Sequence, residues 1–93
     1  MFTWDPQTAI LNYDKHVVSF EEAATIFADP NALDWEDVKH SGIEPRLKRL
    51  GISHARRDLI VVYTIRSTAN GKQAIRIISA RAASQKERKA YAG

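Results

Sequence analysis

The pattern of apolar and polar residues predicts helices in the first third of the chain and strands in its second half. Residues 2–4 ("FTW") are aromatic and favour a short strand. Asp5 then suits the N-cap of a helix and Pro6 its first turn, so a helix is predicted through "QTAILNYDKH". Its large apolar side chains recur at helical spacing and form one stripe: Ile10, Tyr13 and Val17, flanked by Leu11.

A second helix is predicted to begin at the motif "SFEE". In such a capping box the Ser19 hydroxyl accepts a hydrogen bond from the Glu22 amide, and the Glu22 carboxylate reaches back. Pro30 ends the helix. Its apolar face has the spacing i, i+3, i+4 and i+7 and consists of Phe20, Ala23, Ala24 and Phe27. We expect Phe20, Phe27 and Trp4 to lie in the core.

Residues 31–44 are polar and acidic and predict a loop, which leaves the environment of Trp35 open. From Arg46 the period changes to two: "RLKRLGIS" predicts a strand, and "DLIVVYTIR", apolar on both faces, predicts a central strand. Asn70-Gly71 predicts a tight hairpin into the strand "QAIRIISA". The motif "SQKE" is a second capping box, which opens a short C-terminal helix that includes Tyr91.

The predicted order is β-α-α-β-β-β-α, an α+β fold. Two N-terminal helices pack on a small, mostly antiparallel sheet of three to four strands, and a short helix follows. A chain of 93 residues has room for one modest core, so a single domain over 1–93 is expected. There is no cysteine, which excludes disulfides and thiolate chemistry. Neither a signal peptide nor an apolar run of the roughly 18 residues needed by a membrane helix is visible, so a cytoplasmic protein without membrane association is expected.

The charges are divided unevenly along the chain. Residues 1–45 carry two basic and nine acidic groups, a balance of −7, and residues 46–93 carry twelve basic and two acidic groups, a balance of +10. Such a division favours one surface for an anion and another for a cation. The alternative is that the two halves interleave in space and largely neutralise each other.

The motifs of most small-molecule and metal chemistry are missing. The three histidines, His16, His40 and His54, lack a ligand spacing such as H-x-x-x-H, so no metal site is predicted. A phosphate-binding glycine loop, a G-x-S-x-G motif and a dinucleotide fingerprint are likewise absent, so no cofactor is expected.

The remaining candidate chemistry is a group of cations on the strands. In the last strand, strict alternation would place Arg76 and Arg81 on opposite faces, so they share one site only if the chain bulges near Ser79 to Ala80. Guanidinium groups suit a phosphodiester because each binds two phosphate oxygens and stays charged as the pentacoordinate state forms. The further candidates for contacts to such a phosphodiester are Arg46, Lys48, Arg66, Arg88 and Lys89. The alternative is a solvated strand edge that is kept basic to prevent aggregation.

Two blocks of this sequence resemble the BrnT family of bacterial type II toxins, over roughly Trp4 to Tyr91. The first is "NYDKHVVSFEEAATIFADP", with Asn12, Lys15 and His16, and the second, after "EPR", is "IRIISARAASQKERKAY". The resemblance implies a RelE-like fold and a ribonuclease activity that inhibits translation. It also implies neutralisation by a BrnA-type antitoxin with a ribbon-helix-helix region, in a 2:2 complex that reaches operator DNA only through the antitoxin.

The sequence departs from the family pattern at two places. The family commonly has glycine after the Lys-His pair, where this chain has Val17. The usual Glu-Arg before the first long strand is interrupted here by Pro45, which removes a backbone donor between Glu44 and Arg46. We therefore do not assign catalysis to Glu44.

A metal-independent cleavage needs an oriented 2′-hydroxyl, a stabilised phosphorane and two proton transfers. Arg76 and Arg81 are predicted to stabilise the phosphate, and Arg46 and Lys48 to follow the RNA backbone. The proton-transfer candidate is His16, whose side-chain type titrates near neutrality, with Lys15 and Tyr91 as helpers.

Each assignment has a structural alternative: His16 can close its helix, Tyr91 can pack on the sheet, and Glu87 can cap the last helix. Two further readings of the whole chain are a nucleic-acid- or partner-binding module without catalysis and an inactive toxin homologue.

Overall fold

A five-stranded sheet with three helices forms the structure, a computed structural model that describes residues 1–92. The strands are β1 (Phe2–Thr3), β2 (Leu33–Glu36), β3 (Leu47–Ile52), β4 (Asp58–Ser67) and β5 (Gln73–Ala82). The helices are α1 (Pro6–His16), α2 (Phe20–Thr25) and α3 (Gln85–Ala92), with 3₁₀ turns at Ile26–Ala28 and Val38–His40. The strand order is β1-β5-β4-β3-β2; β1 runs parallel to β5, and every other neighbouring pair is antiparallel. The predicted α+β class is confirmed.

The predicted strand count of three to four was too low, because the segment assigned to a loop contains β2. In the acidic run 31–44, Leu33 pairs with Leu50 and Trp35 pairs with Lys48. All four residues of β2 are exposed, so the strand has no buried apolar face that a hydrophobic pattern could reveal. The strand is held by its partners instead, because Asp34 accepts a hydrogen bond from Arg49 Nη1 at 2.6 Å.

The core lies between the sheet and α2. Leu59 and Val61 of β4 and Ile77 and Ala80 of β5 pack with buried residues of the α2 segment. The predicted apolar face is confirmed, since Phe20 and Ala23 are buried and Ala24 and Phe27 pack against the cluster, as does Trp4. The predicted end of the helix at Pro30 was wrong, because α2 ends at Thr25 and Phe27 lies in the 3₁₀ turn that follows. Within the described residues, the helices are all too short or too polar to cross a bilayer.

Both capping boxes begin as predicted, but the first is used differently at its acidic end. The Ser19 hydroxyl accepts from the Glu22 amide at 3.0 Å. The Glu22 carboxylate does not reach back to the Ser19 amide; it accepts instead from the Ser53 hydroxyl and the Arg57 guanidinium. The Arg57 contact is the main reason why the pKa of Glu22 lies below its usual range.

The apolar stripe predicted for α1 faces solvent. Ile10, Tyr13 and Val17 are each more than half exposed, as is Leu11. The buried residue of α1 is Asn12, whose Nδ2 donates to the carbonyl oxygens of Val18 and Ala80 and whose Oδ1 accepts from the Ala80 amide at 3.0 Å. This side chain thus satisfies the backbone of β5 beyond the end of the short β1, where no strand lies alongside.

Val17 closes α1 in the left-handed conformation. Its φ is 55° and its amide donates to the Tyr13 carbonyl oxygen at 2.8 Å, as in a helix C-terminus that normally uses glycine. A β-branched residue is strained there, because a left-handed φ costs roughly 1–2 kcal/mol for side chains with a Cβ.

We therefore expect Val17→Gly to stabilise the protein by about 1 kcal/mol, after allowance for the greater freedom of glycine in the unfolded chain. The melting temperature measured by circular dichroism should rise by about 4–8 °C. Val38→Gly is the matched control, since Val38 is also exposed but does not have a positive φ, and it should lower stability. A Val17→Gly variant that melts below the parent would show that the strain is absent.

Candidate nucleic-acid interface

A β-bulge in β5 places the two candidate arginines on one face of the sheet. Tyr63 pairs with Ile77 and Val62 pairs with Ser79, so Ile78 has no partner across the ladder. The extra residue reverses the alternation, and Arg76, Ser79 and Arg81 all face away from the core that α2 covers. The bulge needed for the shared site is therefore present, one residue before the predicted Ser79 to Ala80.

We call this side of the sheet the open face. Directly paired residues share a face, so the register defines it as successive rows across the strands. The middle row contains Trp35, Lys48, Val62 and Ser79; on one side of it lie Thr64 and Arg76, and on the other Leu50, Ile60 and Arg81. Arg46 directly precedes β3 beside the Thr64–Arg76 row.

Two hollows of the surface meet at Ser79. The first, which we call the β3 hollow, has a volume of about 230 Å³ and is lined by Asp37, His40, Arg46, Lys48, Val62 and Ser79. The second, the α1 hollow, has about the same volume of 230 Å³ and is lined by Thr8, Leu11, Asn12, Lys15, His16, Ile78 and Ser79. Four of the predicted site residues, Lys15, His16, Arg46 and Lys48, thus lie in two adjoining hollows. Neither Arg76 nor Arg81 lines either of them.

Ion pairs between the two halves of the chain neutralise several of the arginines. Arg49 pairs with Asp34, Arg57 with Glu22 and Arg66 with Glu44. The interleaving of opposite charges considered as an alternative is therefore partly realised. The predicted RNA contact Arg66 is one of the paired residues, although Arg66 and Glu44 are both well exposed.

The cations of the open face that stay without an acidic partner are Arg46, Lys48 and Arg76. In residues 1–92 their side chains form no salt bridge and donate no hydrogen bond. All three are half-buried, so they are held against the sheet rather than spread into solvent. An arrangement of unpaired, partly desolvated cations is suited to bind an anion.

Arg81 is on the open face but is already paired. Its Nη1 and Nη2 donate to the two carboxylate oxygens of Glu87, each at 2.8 Å. This contact, with hydrogen bonds from Ser84, lowers the pKa of Glu87 to about 2 and raises the pKa of Arg81. Glu87 also accepts from the Ser84 amide, so the predicted second capping box is confirmed and is joined to β5.

Tyr91 lies in a different part of the molecule. Its hydroxyl donates to Asp29 at 2.6 Å, and this bond, followed by burial, raises the pKa of Tyr91 to about 12. The hollow beside it is larger, about 510 Å³, and includes His54, but it contains no cation from the strands. Arg88 and Lys89 are exposed on α3. The predicted roles of these three residues stay predictions.

A buried hydroxyl lies beside Arg76 in the ladder between β4 and β5. Thr64, the partner of Arg76 in the ladder, is 2% exposed, and its Oγ1 has no hydrogen-bond partner in the described part of the chain. The hydroxyl is close enough to Glu44 to lower the pKa of that carboxyl, together with Arg66 and Arg76, but falls short of hydrogen-bond geometry. Glu44 therefore stays at the edge of the open face despite the neighbouring Pro45.

Sequence reasoning missed His40 and Trp35, both in the segment assigned to a loop. His40 lines the β3 hollow, and Trp35 is 41% exposed in the same row as Lys48. The alternation of apolar and polar residues in "LDWE" could have indicated a strand that contains Trp35. The three-residue spacing of Asp37 and His40 could have indicated a contact between their side chains. Among residues 1–92, no three side chains of His, Cys, Asp or Glu gather in a group that could hold a metal ion.

Comparisons with known proteins identify the family and the fold of the chain. Residues 4–87 match the family described as "Ribonuclease toxin, BrnT, of type II toxin-antitoxin system". The crystal structure of the Brucella abortus ribonuclease toxin BrnT is similar in fold, with a TM-score of 0.63 and 22% sequence identity over 91% of this chain and 99% of that one. No curated protein sequence matches the chain. The match over nearly the whole length shows that this chain belongs to the BrnT family of ribonuclease toxins of type II toxin-antitoxin systems.

Proposed function

We propose that this chain is a metal-independent endoribonuclease that inhibits translation and acts in the cytoplasm as a single RelE-like domain. The observation that carries the proposal is the bulge at Ile78, which brings Arg76 to the same face as Lys48 and Ser79. A strand without that bulge would present Arg76 and Ser79 on opposite sides of the sheet.

In the proposed mechanism the RNA backbone crosses the open face along the row from Lys48 to Ser79. Lys48 and Arg46 bind phosphate oxygens, and Arg76 stabilises the charge that builds on the phosphorane. Arg81 contributes to the phosphate only in exchange with Glu87, and its main role is to fix α3 to β5.

His16 is the proposed base. The neutral imidazole takes the proton of the 2′-hydroxyl, O2′ attacks the phosphorus, and the bond from phosphorus to O5′ breaks. The products are a 2′,3′-cyclic phosphate and a 5′-hydroxyl. Lys15 lines the α1 hollow together with His16 and contributes positive charge.

The partner is proposed to be a BrnA-type antitoxin with a ribbon-helix-helix region, in a 2:2 complex. It inhibits the toxin by covering the open face and neutralising its unpaired cations. Binding to operator DNA is then a property of the antitoxin.

The test of the proposed function is incubation of the purified chain with RNA, with and without EDTA. We expect cleavage that EDTA does not reduce, with cyclic phosphate ends on the products. RNA that stays intact but is retained by the protein would instead identify a binding module or an inactive homologue. Cleavage that EDTA abolishes would overturn the metal-independent mechanism.

A further inference from the structure

The cleavage of RNA by transphosphorylation leaves one proton transfer unassigned. When the bond to O5′ breaks, the leaving oxygen needs a proton, because an alkoxide is a poor leaving group in water. The donor must lie across the reacting phosphate from the base, so that attack and departure are in line. The α1 hollow contains His16, and the β3 hollow adjoins it at Ser79.

The β3 hollow contains a second imidazole whose orientation is fixed. His40 Nδ1 lies 3.0 Å from Asp37 Oδ2 and 3.2 Å from Asp37 Oδ1, so the Nδ1 proton is directed to the carboxylate. The Asp37 side chain is only 11% exposed, whereas that of His40 is 60% exposed. The other ring nitrogen, Nε2, is therefore directed away from Asp37 and is available to a ligand.

The turn that carries His40 is fastened to the strand that carries the cations. The Asp37 amide donates to the Arg46 carbonyl oxygen at 2.8 Å. The Ser41 hydroxyl donates to the Asp37 carbonyl oxygen at 2.9 Å and accepts from the Arg46 amide at 3.0 Å. These three bonds hold His40 at the mouth of the hollow beside Arg46 and Lys48 rather than on a loose loop.

From this arrangement we infer that His40 is the general acid of the reaction and that Asp37 is its positioning residue; the inference rests on the proposed function. The imidazolium Nε2 gives its proton to O5′ as that oxygen leaves, while the 2′-hydroxyl proton passes to His16, so protons balance over the step. The charged groups that line the hollow with His40 are Asp37 from its own turn, Arg46 directly before β3 and Lys48 in β3. The carboxylate fixes the orientation of the ring, and the two cations hold the phosphate that bears the leaving oxygen.

A substrate with sulfur in place of O5′ shows whether His40 acts as a general acid or in some other role. A thiolate leaves without a proton, so such a 5′-phosphorothiolate linkage does not need the acid. We expect His40→Ala to cleave an ordinary RNA oligonucleotide at least about 100-fold more slowly than the parent, and to cleave the thio substrate within a few-fold of it. Asp37→Asn should show the same pattern with a smaller loss, about 10-fold on the ordinary linkage, because Nδ1 keeps one amide oxygen as acceptor but loses the charged carboxylate that orients the ring.

The matched control is His54→Ala. His54 is exposed and contacts Thr25 near the larger hollow, so this variant should cleave both substrates like the parent. An equal loss on both substrates in His40→Ala would overturn the inference, because it would assign His40 to binding or folding. Normal cleavage of ordinary RNA by that variant would overturn it too. If the parent chain cleaves neither substrate, the proposed function itself fails.

Discussion

Replacement of Arg76 by alanine should lower the rate of RNA cleavage by about 100- to 1,000-fold, the effect of removing one donor that stabilises a developing oxyanion. The reason is that Arg76 is the arginine of β5 whose guanidinium donates no hydrogen bond within residues 1–92, since Arg81 is bound to Glu87. The measurement is the rate of cleavage of a labelled RNA at saturating protein. Arg76→Lys should recover little of the loss, because an ammonium does not reproduce the planar fork.

Arg56→Ala is the control for the loss of one positive charge. Arg56 is exposed in the turn between β3 and β4, at the end of β4 opposite to the Thr64–Arg76 pair. This variant should cleave RNA within about two-fold of the parent, because an exposed charge at a distance is screened by salt. If Arg76→Ala cleaves RNA as fast as the parent, Arg76 does not stabilise the phosphate. If Arg76→Ala and Arg56→Ala lose the same amount of activity, the effect of Arg76 is only that of one positive charge.

Replacement of Asn12 by alanine should destabilise the protein by about 2–5 kcal/mol, since it leaves the buried amide and carbonyl groups of Ala80 without partners. The three hydrogen bonds of the Asn12 amide connect α1 both to β5 and to the segment that follows the helix. For a domain whose total stability is about 5–15 kcal/mol, the loss is a large fraction. Urea unfolding followed by circular dichroism measures it.

Asn31→Ala provides the comparison for this variant. The Asn31 side chain is exposed and makes no hydrogen bond in the described residues, so its removal should change stability by less than about 0.5 kcal/mol. If Asn12→Ala unfolds at the same urea concentration as Asn31→Ala, the amide does not support β5. A variant that cannot be obtained folded agrees with the prediction.

Much of the fold was predictable because it depends on local signals. Asp5 caps α1, the two capping boxes open α2 and α3, and Asn70-Gly71 turns the hairpin, with Gly71 at a φ of 76°. These residues act on their own neighbours in the sequence, so their effects can be predicted from a single sequence. The stripe on α1 misled because apolar periodicity reports an amphipathic helix but does not say whether a protein core or a partner covers it.

The candidate site was only partly predictable, because it depends on contacts between distant segments. The alternation rule identified the need for a bulge between Arg76 and Arg81, but the register that places it at Ile78 exists only in the pairing of β4 with β5. The pairing of Arg81 with Glu87 follows from the turn between β5 and α3. His40 was missed because its position is created by two hydrogen bonds between residues 37–41 and Arg46 and one within the turn, and no periodicity in the sequence accompanies them.

The central claim is that the open face holds the RNA. The most direct test is a nuclear magnetic resonance titration of the ¹⁵N-labelled chain with an RNA oligonucleotide carrying 2′-deoxy substitutions, which can bind but cannot be cleaved. We predict that the largest amide shifts fall on Lys48, Val62 and Ser79 and on the turn with His40, and that they weaken steeply as salt is raised. Shifts confined to the exposed side of α1, or to the hollow beside Tyr91, would contradict it.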